Sequence, residues 1–202
     1  IGWAPLGLWV AWRDVPAWGG REWALVSLSA VLHCGYYLML LRGYRKADLT
    51  VVYPLARGSG PLLSSVAAVL LLGEHISALG ALGILGVVGG VFLVAGGPAL
   101  WRSGQDPEAR ARVNKGMVYG LLSGAFIASY TVVDGYAVKV MLISPILVDY
   151  VGGVLRLFVV GGPVLRDIPA ARALWKLQWK YALFVGTVSP VSYVLVLYAM
   201  QT

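Results

Sequence analysis

Six runs of roughly 20 apolar residues, with a shorter run before them, decide what this chain can fold into. The long runs are Trp23–Leu41, Leu49–Leu72, Ile76–Gly96, Gly116–Val138, Ile143–Leu165 and Tyr181–Met200. The short one, Ile1–Trp12, cannot cross a bilayer alone and reads as part of a span. Lipid offers the backbone no hydrogen bonds, so a lipid-exposed span must satisfy its own N–H and C=O groups. Barrel strands would alternate in polarity over about 10 residues, whereas these runs are continuously apolar. The expected fold is therefore an all-α integral membrane protein, a helical bundle with about six full spans plus one partial. Composition agrees: the chain is 59% apolar and 12% charged, against about 45–50% and about 25% in soluble domains. The net charge of +7 would suit nucleic acid in a soluble protein. Here the basic residues lie between apolar runs, so orientation and lipid headgroups account for them and a nucleic-acid partner is excluded. Cys34 is the lone cysteine, which leaves no internal disulfide and no cysteine-based zinc site. The chain starts at Ile1 within an apolar run and stops just after another, so a piece of a longer protein is expected.

The polar connections sort by side. Those at 42–48, 98–115 and 166–180 carry eleven basic residues, and the opposite side has only Arg13, Arg21 and Lys139. The positive-inside rule places the first set in the cytoplasm. Arg57 and Arg156 remain, both inside spans. Arg13-Asp14-Val15-Pro16-Ala17 recurs as Arg166-Asp167-Ile168-Pro169-Ala170, at an offset of 153. Tyr37 and Leu41 likewise correspond to Tyr193 and Leu197, at an offset of 156. Five spans separate the two pentapeptides, and an odd number of crossings puts them on opposite faces. Duplication with inversion is the expected architecture, as in secondary transporters. The only long polar connection, 98–115, is the expected boundary between repeats at 1–97 and 116–202.

The chemistry-bearing residues are the polar ones within spans. Leu49–Leu72 contains Pro54 and Pro61, which predict a broken helix with freed carbonyls lining a cavity. Thr50, Tyr53, Arg57, Gly60 and Ser64 share one stripe of it. Arg57 inside a span suits an anionic group or a partner carboxylate; the structural alternative is a snorkelling residue beside a kink. Arg156 lies mid-span with Asp149 seven residues earlier on the same face. The expectation is a cavity arginine with its acid elsewhere, since seven residues look too far to bridge directly; a buried structural pair is the alternative. Tyr130 and Asp134 face together, with Asp134 either a proton-coupling carboxyl or an interfacial group near Lys139, and Asp149 the other proton-coupling candidate. His33 and Tyr37 share a stripe with Ser29, with Tyr36 beside it, and Tyr193 is the repeat mate of Tyr37. Each of these reads either as cavity lining or as packing. Gly116, Gly120 and Gly124, like Gly83, Gly86 and Gly90, read as helix-packing faces. No P-loop, Rossmann fingerprint, G-x-S-x-G or H-E-x-x-H is present, so no cofactor, metal centre or enzymatic activity is expected.

Tyr53-Pro54-Leu55, Gly60-Pro61-Leu62-Leu63, Leu71-Leu72-Gly73-Glu74-His75-Ile76-Ser77 and Gly89-Gly90-Val91-Phe92-Leu93 resemble the EamA family of the drug/metabolite transporter superfamily. The likeness covers most of the chain and is most specific over 47–97. It implies two inverted five-span repeats, with this chain lacking the first span, part of the second and the last two. It implies a multi-pass protein of the cell membrane that exports small metabolites by alternating access around a polar cavity. The partners expected are the lipid bilayer, a small-molecule substrate that is anionic to match the arginines, and a second copy in a homodimer. Gly73 and Glu74 form the family's turn motif, where a glutamate suits capping of the next helix more than chemistry. Family members with cytoplasmic termini would put the basic connections outside, against the charge count. A membrane-embedded enzyme on lipid-linked substrates, or a non-transporting scaffold, are the competing readings.

Overall fold

The apolar runs form helices. The computed structural model describes residues 4–72, 75–94 and 107–201, and these hold seven α-helices and no strand. They are α1 (Ala4–Asp14), α2 (Gly20–Lys46), α3 (Leu49–Leu72), α4 (Ala78–Val94), α5 (Pro107–Lys139), α6 (Pro145–Arg166) and α7 (Ile168–Ala199). Four are long and apolar enough to cross a membrane: α2, α5 from Arg110, α6 and α7. The 24 residues of α3 reach about 36 Å at about 1.5 Å per residue. The chain is an all-α, multi-pass membrane protein in contact with the bilayer. Gly73 and Glu74, with residues 98–106 of the 98–115 connection, lie outside the described residues.

Two expectations of local structure are corrected. Basic stretches read as connections are helical: Arg42–Lys46 closes α2, Pro107–Lys115 opens α5 and Ile168–Lys180 opens α7. A helix has no reason to stop where the lipid does, because lysine, arginine and alanine are good helix formers in water as well. Second, α3 is not broken. Pro54 and Pro61 sit inside one continuous helix, leaving only the carbonyls of Thr50 and Arg57 without their usual donors. The Ser59 hydroxyl meanwhile donates to the Leu55 carbonyl at 2.6 Å, staying within the same helix. The repeated pentapeptide folds in two ways. Asp167 caps α7, its Oδ1 accepting from the Ala170 N–H at 3.0 Å. Asp14 is instead held by Arg13 at 2.6 Å, and Val15–Ala17 makes one 3-10 turn before the chain extends at Trp18. Gly19 and Gly20 follow in the first copy, where the second continues with helix formers.

The chain packs as two compact units, Ile1–Val31 with Val133–Thr202, and Leu32–Val132. The first is built on Val10, Val26, Ala137, Val138, Ile143, Leu147, Val148, Val151 and Leu197. Here α1 lies against α6 and α6 against α7, and Gly7 leaves room for the ring of Tyr150. In the second unit α3 packs on α4 and on the glycine face of α5. A Cβ on Gly116 would meet the Val51 side chain at 3.1 Å, and one on Gly120 would meet Leu55 Cβ at 2.8 Å. The expected packing role of the α5 glycines is therefore seen. That of α4 is not: a Cβ on Gly83, Gly86 or Gly90 would meet nothing within 4 Å. Gly86→Ala is thus expected to stabilise α4 by up to about 1 kcal/mol, the difference in helix propensity. Equilibrium unfolding in detergent micelles measures it, and a loss of stability would show that this face is packed.

Candidate functional site

Each unit holds one cluster of intramembrane polar groups. In the Leu32–Val132 unit the cluster centres on Arg57 of α3. Its guanidinium carbon lies 5.5 Å from the centre of the Tyr53 ring, which is one turn earlier on the helix. Tyr36 of α2 and Tyr130 of α5 also lie within reach of its charge. These tyrosines belong to an aromatic group: Tyr36 meets Tyr130 edge-on at 6.0 Å and Tyr37 at 4.9 Å. His33 stacks on Tyr130 at 3.8 Å, with only 21° between the ring planes. His33, Tyr36 and Tyr130 are buried, whereas Arg57, Tyr53 and Tyr37 are exposed on the unit. No carboxylate pairs with Arg57 among the described residues; the face of an aromatic ring, which attracts cations, takes that place. Beside it a cavity of about 510 Å³ is lined by Tyr44, Leu49, Thr50, Tyr53 and Pro54. Ser64 does not join this group, since its hydroxyl donates to the Pro61 carbonyl at 3.0 Å. Tyr44 was not among the expected lining residues, although it follows Tyr37 by seven residues and so shares its helical stripe.

The second cluster lies in the other unit, around Asp134 of α5. This side chain is fully buried. The Tyr193 hydroxyl of α7 donates to Asp134 Oδ2 in a short hydrogen bond, and Ser29 of α2 faces the same carboxyl. Tyr193, the repeat mate of Tyr37, is thus a carboxyl partner where Tyr37 is an exposed ring.

Asp149 and Arg156 of α6 also lie within electrostatic reach of Asp134, and they correct the expectation that they cannot meet. Arg156 Nη2 stands 3.5 Å from Asp149 Oδ1 and donates to the Asp149 backbone carbonyl at 3.4 Å. Two turns of helix separate their Cα atoms by about 10 Å. Helical side chains point back toward the N-terminus, so the guanidinium lies over Gly152 and Gly153. A Cβ on Gly152 would lie 3.6 Å from Arg156 Nη1, and one on Gly153 3.5 Å from Nη2. Arginine reaches its acid by lying over two glycines. Among the described residues Arg156 therefore has its charge matched by a carboxylate and Arg57 does not.

No curated protein and no solved structure matches the chain. Its first part does match a family model, that of the EamA-like transporter family, over residues 1–96. The match takes in α1–α4, including Arg57 with its Tyr53 and Tyr36 neighbours. Over residues 1–96, just under half of its 202 residues, the chain is similar to the EamA-like transporter family.

Proposed function

We propose that the protein is a secondary transporter that exports small organic acids across the cell membrane by alternating access of two inverted repeats, 1–97 and 116–202. The observation that carries this reading is Arg57. Insertion into a span costs an arginine about 2.5–3.5 kcal/mol, and this one has no carboxylate among the described residues to offset it. Its planar fork suits bidentate binding of a carboxylate, and the rings of Tyr53, Tyr36 and Tyr44 suit an organic body attached to that acid. Asp134 supplies a carboxyl for proton coupling. Arg156, matched by Asp149, serves the architecture of its cluster in preference to the substrate.

Transport of organic acids by the full-length protein in proteoliposomes tests the reading. Arg57→Ala is expected to lower kcat/KM at least about 100-fold, equivalent to about 2.7 kcal/mol. Arg57→Lys keeps the charge but not the fork, and is expected to fall between. Normal transport of carboxylates by Arg57→Ala would remove Arg57 from the substrate path and the proposal with it.

A further inference from the structure

We infer that Asp134 is a proton-carrying acid, loaded in the arrangement seen here, covered by the Tyr193 hydroxyl and unloaded when α7 pivots at Pro190. Its part in transport rests on the function proposed above; its protonation does not.

The geometry of the carboxyl carries the first half. Asp134 is wholly buried, Oδ2 meets Tyr193, and Oδ1 finds no hydrogen-bond partner among the described residues. The groups facing it can be counted by element. Helix α2 presents Ser29, α6 presents Asp149 and Arg156, and α7 presents Tyr193. Tyr130 precedes Asp134 by one turn on α5 but is stacked on His33. Arg156 is the one cation in this set, and Asp149 stands 3.5 Å from it, so the α6 pair brings no net charge. An ionised Asp134 would then be a buried anion whose hydrogen bonds come from Tyr193 and Ser29 alone, whose nearest cation is already paired with Asp149, and whose Oδ1 is bare. Such an arrangement is strongly disfavoured. With a proton on Oδ2 the short contact becomes an O–H donated to Tyr193, and Oδ1 is left as a neutral carbonyl oxygen. The proton comes from water on one side and returns to water on the other, so no further reactant is needed.

The second half rests on α7. Pro190 lies three residues before Tyr193 and inside the helix, so the Gly186 carbonyl loses its helical donor. A Cβ on Gly186 would meet nothing within 4 Å. Thr187 and Ser192 turn their hydroxyls onto the carbonyls of Leu183 and Ser189, at 2.8 Å each. Proline and hydroxyl back-bonding are recognised causes of helix bending. Bending there lifts Tyr193 from Asp134 and opens the carboxyl to water. Tyr193 is thus a positioning residue for the acid.

Infrared spectroscopy of the full-length protein in lipid bilayers reads the proton directly, through the C=O stretch of a neutral carboxylic acid. The wild type is expected to show such a band near neutral pH, shifted by carbon-isotope labelling of aspartate and lost in Asp134→Asn. Tyr193→Phe is expected to keep the band and move it to higher frequency, because a hydrogen bond is removed. The doubly substituted D149N/R156Q, which deletes a balanced pair, is expected to retain it. A wild type without the band, or a band unchanged in Asp134→Asn, overturns the assignment. Transport measured on the same preparations separates the two proposals. A band that belongs to Asp134 in a protein that carries no organic acid would sink the transport reading and leave the acid standing. Transport indifferent to a pH gradient, with the band intact, would overturn the coupling role.

Discussion

Arg156→Leu is expected to destabilise the protein by about 3 kcal/mol or more, the cost of leaving one member of a buried ion pair behind. Asp149→Leu is expected to do similar damage by leaving the guanidinium unmatched. The double replacement by leucine should recover most of the loss, because a buried pair exchanged for apolar side chains is often neutral or even stabilising. The side chains are each 19% exposed, so water relieves little of the penalty in the single variants. Equilibrium unfolding in micelles of all four proteins closes a double-mutant cycle. A coupling energy under about 0.5 kcal/mol, the level at which independent sites add, would show that the two charges do not depend on each other.

This pair also marks where reading the sequence stopped. The spans were legible because lipid demands an unbroken apolar run, and each expected segment from Trp23 to Met200 has its helix. Helix ends were not, because polarity changes at the membrane surface while helix propensity does not. The ends of α2, α5 and α7 consequently run on past the apolar stretch. Arg57, Asp134, Asp149 and Arg156 stood out as charges inside spans, which needs no structure to notice. Their partners were hidden. Asp134 meets Tyr193 across 59 residues of sequence, a contact that no periodicity encodes. Arg156 reaches Asp149 by laying its side chain back over Gly152 and Gly153, a path that residue spacing alone does not reveal. The two glycine-rich faces looked alike in sequence, yet only that of α5 is filled, because which helix lies opposite is a property of the packing.

The α5 face gives the other large effect. Gly124→Val is expected to destabilise the protein by about 3 kcal/mol, at the upper end of the usual cost of overpacking. A Cβ at this position would overlap Ser59 Oγ, and would lie 3.0 Å from Ser59 Cβ and 3.1 Å from the backbone nitrogen of Gly60. The hydroxyl can rotate away only by giving up its 2.6 Å bond to the Leu55 carbonyl. The Cβ and the backbone nitrogen cannot move without α3 moving as a body. Gly124→Ala should therefore cost less than valine but remain unfavourable, and adding Ser59→Ala should restore only the part due to the hydroxyl. The residue displaced with α3 is Arg57, two positions from Ser59, so under the function proposed above Gly124→Ala is also expected to weaken transport in protein that still folds. Gly124→Ala that unfolds no more easily than the wild type would mean that α3 and α5 are further apart than this packing requires.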